Sequence, residues 1–451
     1  NYHSWGTYNV HDPSCCKLGD YYYMYSTDAI LGENRKEAEE KNVPLGFIQV
    51  RRSKDLVKWE FVGWAFPEIP QEAVEWVRSH ADGKGATNIW APYIIPFGDK
   101  YRLYYCVSAF GLKTSYIGLA ESALPEGPWM QRGCVVKTDA TSVMNAIDPS
   151  IIADSATGKW WMHYGSFFGG LYCVELNPET GLPVQEGDQG HLIVRRATYW
   201  KDNLEAPEII YNPELKQYYL FVSYDPLMTT YNVRVGRSDK AEGPFVDYFG
   251  VELKDTTNNF PILTAPYRFN NHPGWAGTAH CAVFTSDEGQ YFMAHQGRLS
   301  PHNQMMDLHL RQVFFTSDGW PVVSPERYTG SASRKFSAAD IVGEWEIIRV
   351  QEPAYERQLQ AGQILWGEGQ LKNEEWNVSC TVSLKKDGQL DENKGYWKFA
   401  ERGQLLSLTL NGESVDNLLV FAGHDWENET ETVLFTGLDS RGRSVWGKRT
   451  K

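Results

Sequence analysis

One short phrase of polar and apolar positions returns along the first three quarters of the chain. Its clearest copy is Asn145–Phe168, NAIDPSIIADSATGKWWMHYGSFF. A polar opener, Asp148-Pro149, leads into an apolar run, Ser150–Ile152. Turn formers follow (Asp154, Ser155, Thr157, Gly158), then an aromatic run, Trp160–Tyr164. Two apolar runs joined by turn residues predict a β-hairpin. The phrase recurs at His11-Asp12-Pro13 before Tyr21–Tyr25, and at Trp90–Ile95 before Tyr101–Val107. It recurs again at Glu205–Ile210 before Tyr218–Val222, and at His280–Phe284 before Tyr291–Ala294. Further strand-like runs and turns follow each copy, among them Pro125–Pro128, Asn177-Pro178, Glu242–Pro244 and Asp318–Pro321. A four-stranded unit repeated at uneven spacing is how a propeller reads in sequence, and five openers predict five blades.

Two segments interrupt the repeat. Asp28–Lys41 is polar and charged and reads as a surface loop or short helix. Pro70–His80 has helical spacing of apolar residues and reads as a surface insertion. The register breaks at Tyr328–Ser333, a small, polar stretch. Beyond it the opener is absent, and alternating runs at Gly343–Ile348, Gly395–Phe399, Leu405–Leu410, Asn417–Phe421 and Thr432–Thr436 predict antiparallel strands. The fold class expected is all-β: a five-bladed β-propeller over residues 1–330, a linker at 331–335, and a smaller antiparallel β-barrel or sandwich at 336–451.

Composition narrows the partners. Apolar residues make up 42% of the chain and aromatics 14%, with 17 Trp and 25 Tyr. Such an excess offers wide, rigid faces for sugar stacking, or simply strand packing. The formal net charge is −14 without a basic cluster, which argues against nucleic acid and favours a neutral polymer over an acidic one. The seven Cys are scattered, with no CxxC and no zinc spacing. No apolar run reaches membrane-spanning length. The first residues, NYHSWGTYNVHDPS, show no signal-peptide pattern, so a secretion signal is not expected within this chain.

In a propeller the innermost strand of every blade lies beside the axis, so equivalent positions of the openers converge. Those positions hold Asp12, Trp90-Ala91, Asp148, Glu205-Ala206 and His280. Alone, each has a plain structural reading: Asp-Pro starts turns, and a strand-end Glu is solvated. Three carboxylates meeting at one point oppose one another, and the shared register favours a site. Two or three acids with aromatics and no nucleophile motif point to acid–base hydrolysis of a glycosidic bond.

The openers HDPS, IWAPYI, NAIDPSI and EAPEI, with YGSF after the third, resemble glycoside hydrolase family 43. Within it the chain is most similar to the extracellular endo-α-1,5-L-arabinanases that carry a C-terminal β-domain. The resemblance implies an inverting five-bladed propeller acting on arabinan or arabino-oligosaccharides, located outside the cytoplasm; a monomer is expected. It implies Asp12 as the general base, Glu205 as the general acid, and Asp148 as the carboxylate that raises the acid's pKa and orients it. Glu208 is the rival acid. Inversion would set base and acid roughly 6.5–9.5 Å apart. It also implies a calcium ion on His280 and waters, although Ala279-His280-Cys281 replaces the more usual Gly-His-Asn. For sugar binding the candidates are Trp90, Asn145, Ser166, Phe167, Tyr224 and Trp275. An exo-acting arabinofuranosidase or β-xylosidase, a non-catalytic carbohydrate-binding propeller and a retaining fructan-processing enzyme are the alternatives.

Overall fold

The computed structural model describes residues 5–29, 32–42, 46–197, 200–256, 258–302, 305–353, 371–391 and 394–450. The first four repeats each form a separate antiparallel four-stranded sheet. The first comprises β1 (His11–Leu18), β2 (Tyr21–Thr27), β3 (Phe47–Ser53) and β4 (Glu60–Phe66). The second comprises β5 (Trp90–Phe97), β6 (Lys100–Ser108), β7 (Ser115–Ser122) and β8 (Met130–Thr138). The third comprises β9 (Ser150–Ala153), β10 (Trp160–Tyr164), β11 (Leu171–Leu176) and β12 (His191–Val194). The fourth comprises β13 (Leu204–Asn212), β14 (Gln217–Tyr224), β15 (Asn232–Ser238) and β16 (Ile262–Thr264). In each, the opener hairpin supplies the first two strands. The two interruptions contain helices, Gly32–Glu40 and Gln71–His80; the second buries Ala73 and Val77 against the first two blades.

The expectation of five blades is corrected here: the arrangement is four-bladed. The fifth opener feeds β19 (Ala282–Thr285) and β20 (Tyr291–Leu299), which do not close a separate four-stranded sheet. β17 (Tyr267–Arg268) and β18 (Trp275–Ala276) precede them; β21 (Asp307–Phe315) and β22 (Pro321–Val323) follow. With β24 (Asn377–Val378), after β23 (Gly343–Arg349) in the chain, they form one seven-stranded sheet ordered β22-β21-β20-β18-β17-β24, with β19 on β20. The reason is the length of β20. Its first residues pair with β19 (Ala282 with Ala294, Thr285 with Tyr291), and its last pair with β18 (Trp275 with Leu299). The sequence repeat counts opener hairpins and says nothing of where a long strand finds a second neighbour. This sheet lies between the fourth and first blades, with β19 packed against both β1 and β13. Chain-terminal pairing ties it down: Asn9 N–H donates to Met306 O (2.9 Å) and Leu308 N–H to Thr7 O (3.0 Å).

The C-terminal domain is a second seven-stranded sheet, wholly antiparallel. β25 (Cys380–Leu384), β26 (Gly395–Ala400), β27 (Leu405–Leu410), β28 (Glu413–Asp425), β29 (Thr430–Leu438) and β30 (Ser444–Arg449) join β23 in the order β25-β23-β30-β29-β28-β27-β26. The bridges Leu384–Leu390 and Gln389–Tyr396 link its outer strands, which makes it a barrel more than a sandwich. Its own core gathers Trp345, Leu406, Leu418 and Phe435. Trp446 and Ile348 instead join the propeller cluster of Tyr267, Trp275 and Val323, so the two parts share a continuous apolar interface. Among the described residues no helix is long and apolar enough to cross a membrane.

Candidate active site

One backbone device presents every opener. Asp12, Ala91, Asp148, Ala206 and His280 all take left-handed φ, at 51°, 43°, 60°, 55° and 53°. The strand register shifts between His11 and Ser14, Trp90 and Tyr93, and Glu205 and Glu208. Such a bulge re-aims side chains out of the pleat. Left-handed backbone is disfavoured for residues with a Cβ, so something must hold it. Each opener N–H donates to a group of the preceding repeat. Asp12 N–H meets Gln296 Oε1 (3.3 Å), Ala91 N–H meets Thr27 Oγ1 (2.9 Å), and Asp148 N–H meets Cys106 Sγ (3.4 Å). Ala206 N–H meets Asp148 Oδ2 (3.0 Å), and His280 N–H meets Ser223 Oγ (2.8 Å). The openers thus form a ring of contacts around the axis.

That ring lines a cavity of about 370 Å³ shared by Asp12, Asp148, Glu205 and His280. Asp12 Oδ1 lies 2.9 Å from His280 Nδ1, and Oδ2 lies 2.8 Å from His11 Nδ1 and accepts from Thr27 Oγ1 at 2.9 Å. Burial alone would push the Asp12 carboxyl up. The charges and hydrogen bonds of His11 and His280 more than reverse this and hold it well below the usual range. Burial opposes charge on His280, but Asp12 and then Asp148 outweigh it and push the imidazole up to about 9. Glu205 Oε1 accepts from Tyr231 Oη (2.7 Å) and Oε2 from Ser166 Oγ (2.6 Å).

Asp148 is pushed well above the ordinary carboxylate range by burial, which His280 opposes without reversing and to which the charges of Glu205 and Asp12 add. Asp148 is the more enclosed of the two neighbouring acids, 6% exposed. Glu208, the rival acid, lies outside the cavity lining. It is 4% exposed, accepts from Ser150 Oγ (2.8 Å) and Val283 N–H (3.2 Å), and is pushed up to about 8 by burial.

Four of the six sugar-binding candidates line the cavity: Trp90, Asn145, Ser166 and Phe167. Trp90 stands edge-on to Phe110, ring centroids 6.1 Å apart. Asn145 Oδ1 already accepts from Ser115 Oγ (2.6 Å). Tyr224 and Trp275 are corrected. Tyr224 is buried between the guanidiniums of Arg196 and Arg234, and Trp275 packs in the core on His309, its rings edge-on at 4.5 Å. An aromatic at a strand end looks the same in sequence whether it faces the axis or the next sheet. Tyr231, Thr27 and Phe110 line the cavity and were missed. They lie outside the opener phrase, on β2 or in loops, where no repeat marks them.

Calcium rests on the resemblance alone, and the donor set can be tested against it. His280 has its Nδ1 held by a carboxylate, the arrangement that leaves Nε2 as a metal ligand. Among the described residues the group of acids close enough to share an ion is Glu326, Asp425 and Glu427, elsewhere in the molecule, and Lys448 Nζ already sits among them. At His280 the protein therefore offers one imidazole that fits, and the other positions of an oxygen-seeking ion would fall to water.

A propeller that converges three carboxylates, two fixed hydroxyls and aromatic walls on one sugar-sized cavity is the architecture of a glycoside hydrolase. The chain belongs to glycosyl hydrolases family 43, whose family model matches residues 6–321, and a C-terminal lipocalin-like domain model matches residues 325–447. It is 29% identical to an extracellular endo-α-(1→5)-L-arabinanase of Thermotoga petrophila, over 98% of this chain and 94% of that protein. It is 30% identical to the extracellular exo-α-(1→5)-L-arabinofuranosidase ArbA of Cellvibrio japonicus, over 72% of this chain and 90% of that one. The crystal structure of an endo-1,5-α-L-arabinanase from Thermotoga petrophila superposes with a TM-score of 0.80 at 27% identity, covering 99% of both chains.

Proposed function

We propose that the protein is an inverting glycoside hydrolase that cuts α-1,5-linked L-arabinan internally, outside the cytoplasm. The observation that carries the chemistry is the convergence of Asp12, Asp148 and Glu205 on one cavity, with Asp12 held well below the ordinary carboxylate range by His11 and His280 and Asp148 pushed well above it by burial. Asp12 is assigned as the base that takes a proton from water as its oxygen attacks the anomeric carbon. Glu205, braced by Ser166 and Tyr231, is assigned as the acid that protonates the departing oxygen on the other face. Asp148, which accepts from Ala206 N–H beside the acid, is assigned as the carboxylate that tunes and orients it. His280 keeps Asp12 anionic and aligned. A calcium ion on its Nε2, when bound, would supply positive charge near the site.

Endo action is supported by the similarity to the Thermotoga endo-enzyme, which runs through the C-terminal domain as well as the propeller. Its extracellular designation supports the location. Likeness to ArbA supports an exo-acting second reading. A product time course on linear, debranched arabinan, resolved by chain length, tests both. Early oligosaccharides of mixed length are expected; monosaccharide alone would move the enzyme to the exo class, and no product at all would remove arabinan as substrate.

A further inference from the structure

Glu205 is carried by two turns whose backbones are both in a disfavoured conformation. Lys201, Asp202 and Asn203 take consecutive left-handed φ of 45°, 64° and 32°; opposite them Phe167 and Phe168 take 56° and 36°. Five non-glycine residues in this region need an outside hold. The 165–170 turn is also tightly seated, since a Cβ on Gly169 would lie 2.0 Å from Val143 O and one on Gly170 2.1 Å from Val194 O. The 165–170 turn touches the proposed acid and its strand, since Ser166 pairs with Glu205 and Phe167 N–H donates to Leu204 O (2.8 Å), and the 201–203 turn leads directly into that strand.

Asp202 clips the two turns together. It is 5% exposed. Its Oδ2 accepts from Gly169 N–H (2.8 Å), on the turn that carries Ser166. Its Oδ1 accepts from Arg196 N–H (3.0 Å) and Arg195 Nε (3.3 Å), on the segment that follows β12. Arg196 completes the clamp: its buried guanidinium donates to Asn203 O (3.2 Å) and Asp225 Oδ1 (2.7 Å), and Asp225 N–H donates to the same Asn203 O (3.2 Å). The carboxylate thus fastens the turn before Glu205 to the turn that supplies Ser166, while Asp202 itself lies outside the cavity lining.

We propose that Asp202 is a positioning residue for the general acid, holding Glu205 where it can protonate the leaving oxygen. The proposal rests on Glu205 being that acid. Its test uses two substrates: linear arabinan, whose leaving alcohol needs a proton, and an arabino-oligoside of a dinitrophenol, which leaves without one. Asp202→Asn keeps the shape but places an amide N–H₂ against existing donors. Its kcat on arabinan should fall about 100-fold, the loss expected for a displaced catalytic group. Its kcat on the dinitrophenyl glycoside should stay near wild type, with KM unchanged on both. Glu205→Gln is run beside it. If Glu205→Gln shows no difference between the substrates, the acid assignment itself fails. If Glu205→Gln separates them and Asp202→Asn does not, the acid stands and the positioning role is overturned. Thermal unfolding is followed for each variant. Should Asp202→Asn not fold, Asp202→Glu, which keeps the charge, is measured in the same way. Two unfolded variants would assign Asp202 to stability alone and overturn the proposal.

Discussion

Asp12 and His280, from the first and last openers of the propeller sequence, meet at 2.9 Å between Oδ1 and Nδ1. The contact spans the join between the first blade and the seven-stranded sheet, so closure of the ring also assembles the proposed base. It has a direct pH consequence. His280 helps hold the Asp12 carboxyl below its usual range against the effect of burial. Removing the imidazole in His280→Ala lets that carboxyl rise. The acid limb of kcat/KM against pH should then move to higher pH, and activity at acidic pH should fall most. An unmoved limb would take His280 out of this role.

Asp12→Asn removes the proposed base outright. Activity on arabinan should fall by about 10²- to 10⁴-fold, the usual contribution of a positioned general base. Circular dichroism and thermal unfolding should show an intact propeller.

Asp148→Asn removes the carboxyl that burial pushes well above the ordinary range. Asparagine still accepts from Ala206 N–H, so the backbone contact survives. The negative charge that Asp148 brings beside the acid once it ionises at higher pH does not. The basic limb of the pH profile should move to lower pH, read from kcat on arabinan, together with a fall in the maximum. A profile with an unchanged basic limb would count against Asp148 acting on the acid through its charge.

Tyr231→Phe deletes one of the two hydroxyls on Glu205 at the cost of a single oxygen. A hydrogen bond contributes roughly 0.5–1.5 kcal/mol, which converts to a loss of about two- to tenfold in kcat. Steady-state kinetics on linear arabinan reads it, with Ser166→Ala as the matching variant on the other oxygen.

Glu208 predicts a pH-dependent stability that is independent of catalysis. Burial raises its folded pKa to about 8, above the unfolded value near 4.5. A carboxyl raised in this way stabilises fully below the unfolded pKa, and that contribution is lost as pH climbs towards the folded one. The loss is at most on the order of 5 kcal/mol. Glu208→Gln mimics the protonated form. Urea unfolding at intervals from pH 4.5 to 8 should give a flatter curve for the variant than for the wild type.

Much of the site was legible because it is written into a repeat. The left-handed opener needs a following extended residue and an N–H partner from the repeat before it. That local demand leaves the same short phrase wherever it occurs, so Asp12, Asp148, Glu205 and His280 could be aligned before any contact was known. Their convergence follows from inner strands sharing an axis. Tyr224 and Trp275 were misplaced because an apolar aromatic satisfies the same pattern facing the cavity or facing Arg196, Arg234 and His309. Tyr231 escaped notice because its link to Glu205 is made across the fold, with no periodicity to mark it.

By itself the sequence determined the all-β class, the opener hairpins and the helix near Gln71–His80, since each depends on alternation, turn chemistry or helical spacing within a few residues. The count of blades was not local. It turned on β20 extending past β19 to reach β18, and on β24 arriving from beyond the propeller to finish that sheet. The electrostatics were not local either. Asp148 and Asp12 open with the same Asp-Pro-Ser, yet one is pushed up and the other held down. Only the tertiary structure decides which carboxylate is enclosed with its own kind and which stands beside two imidazoles.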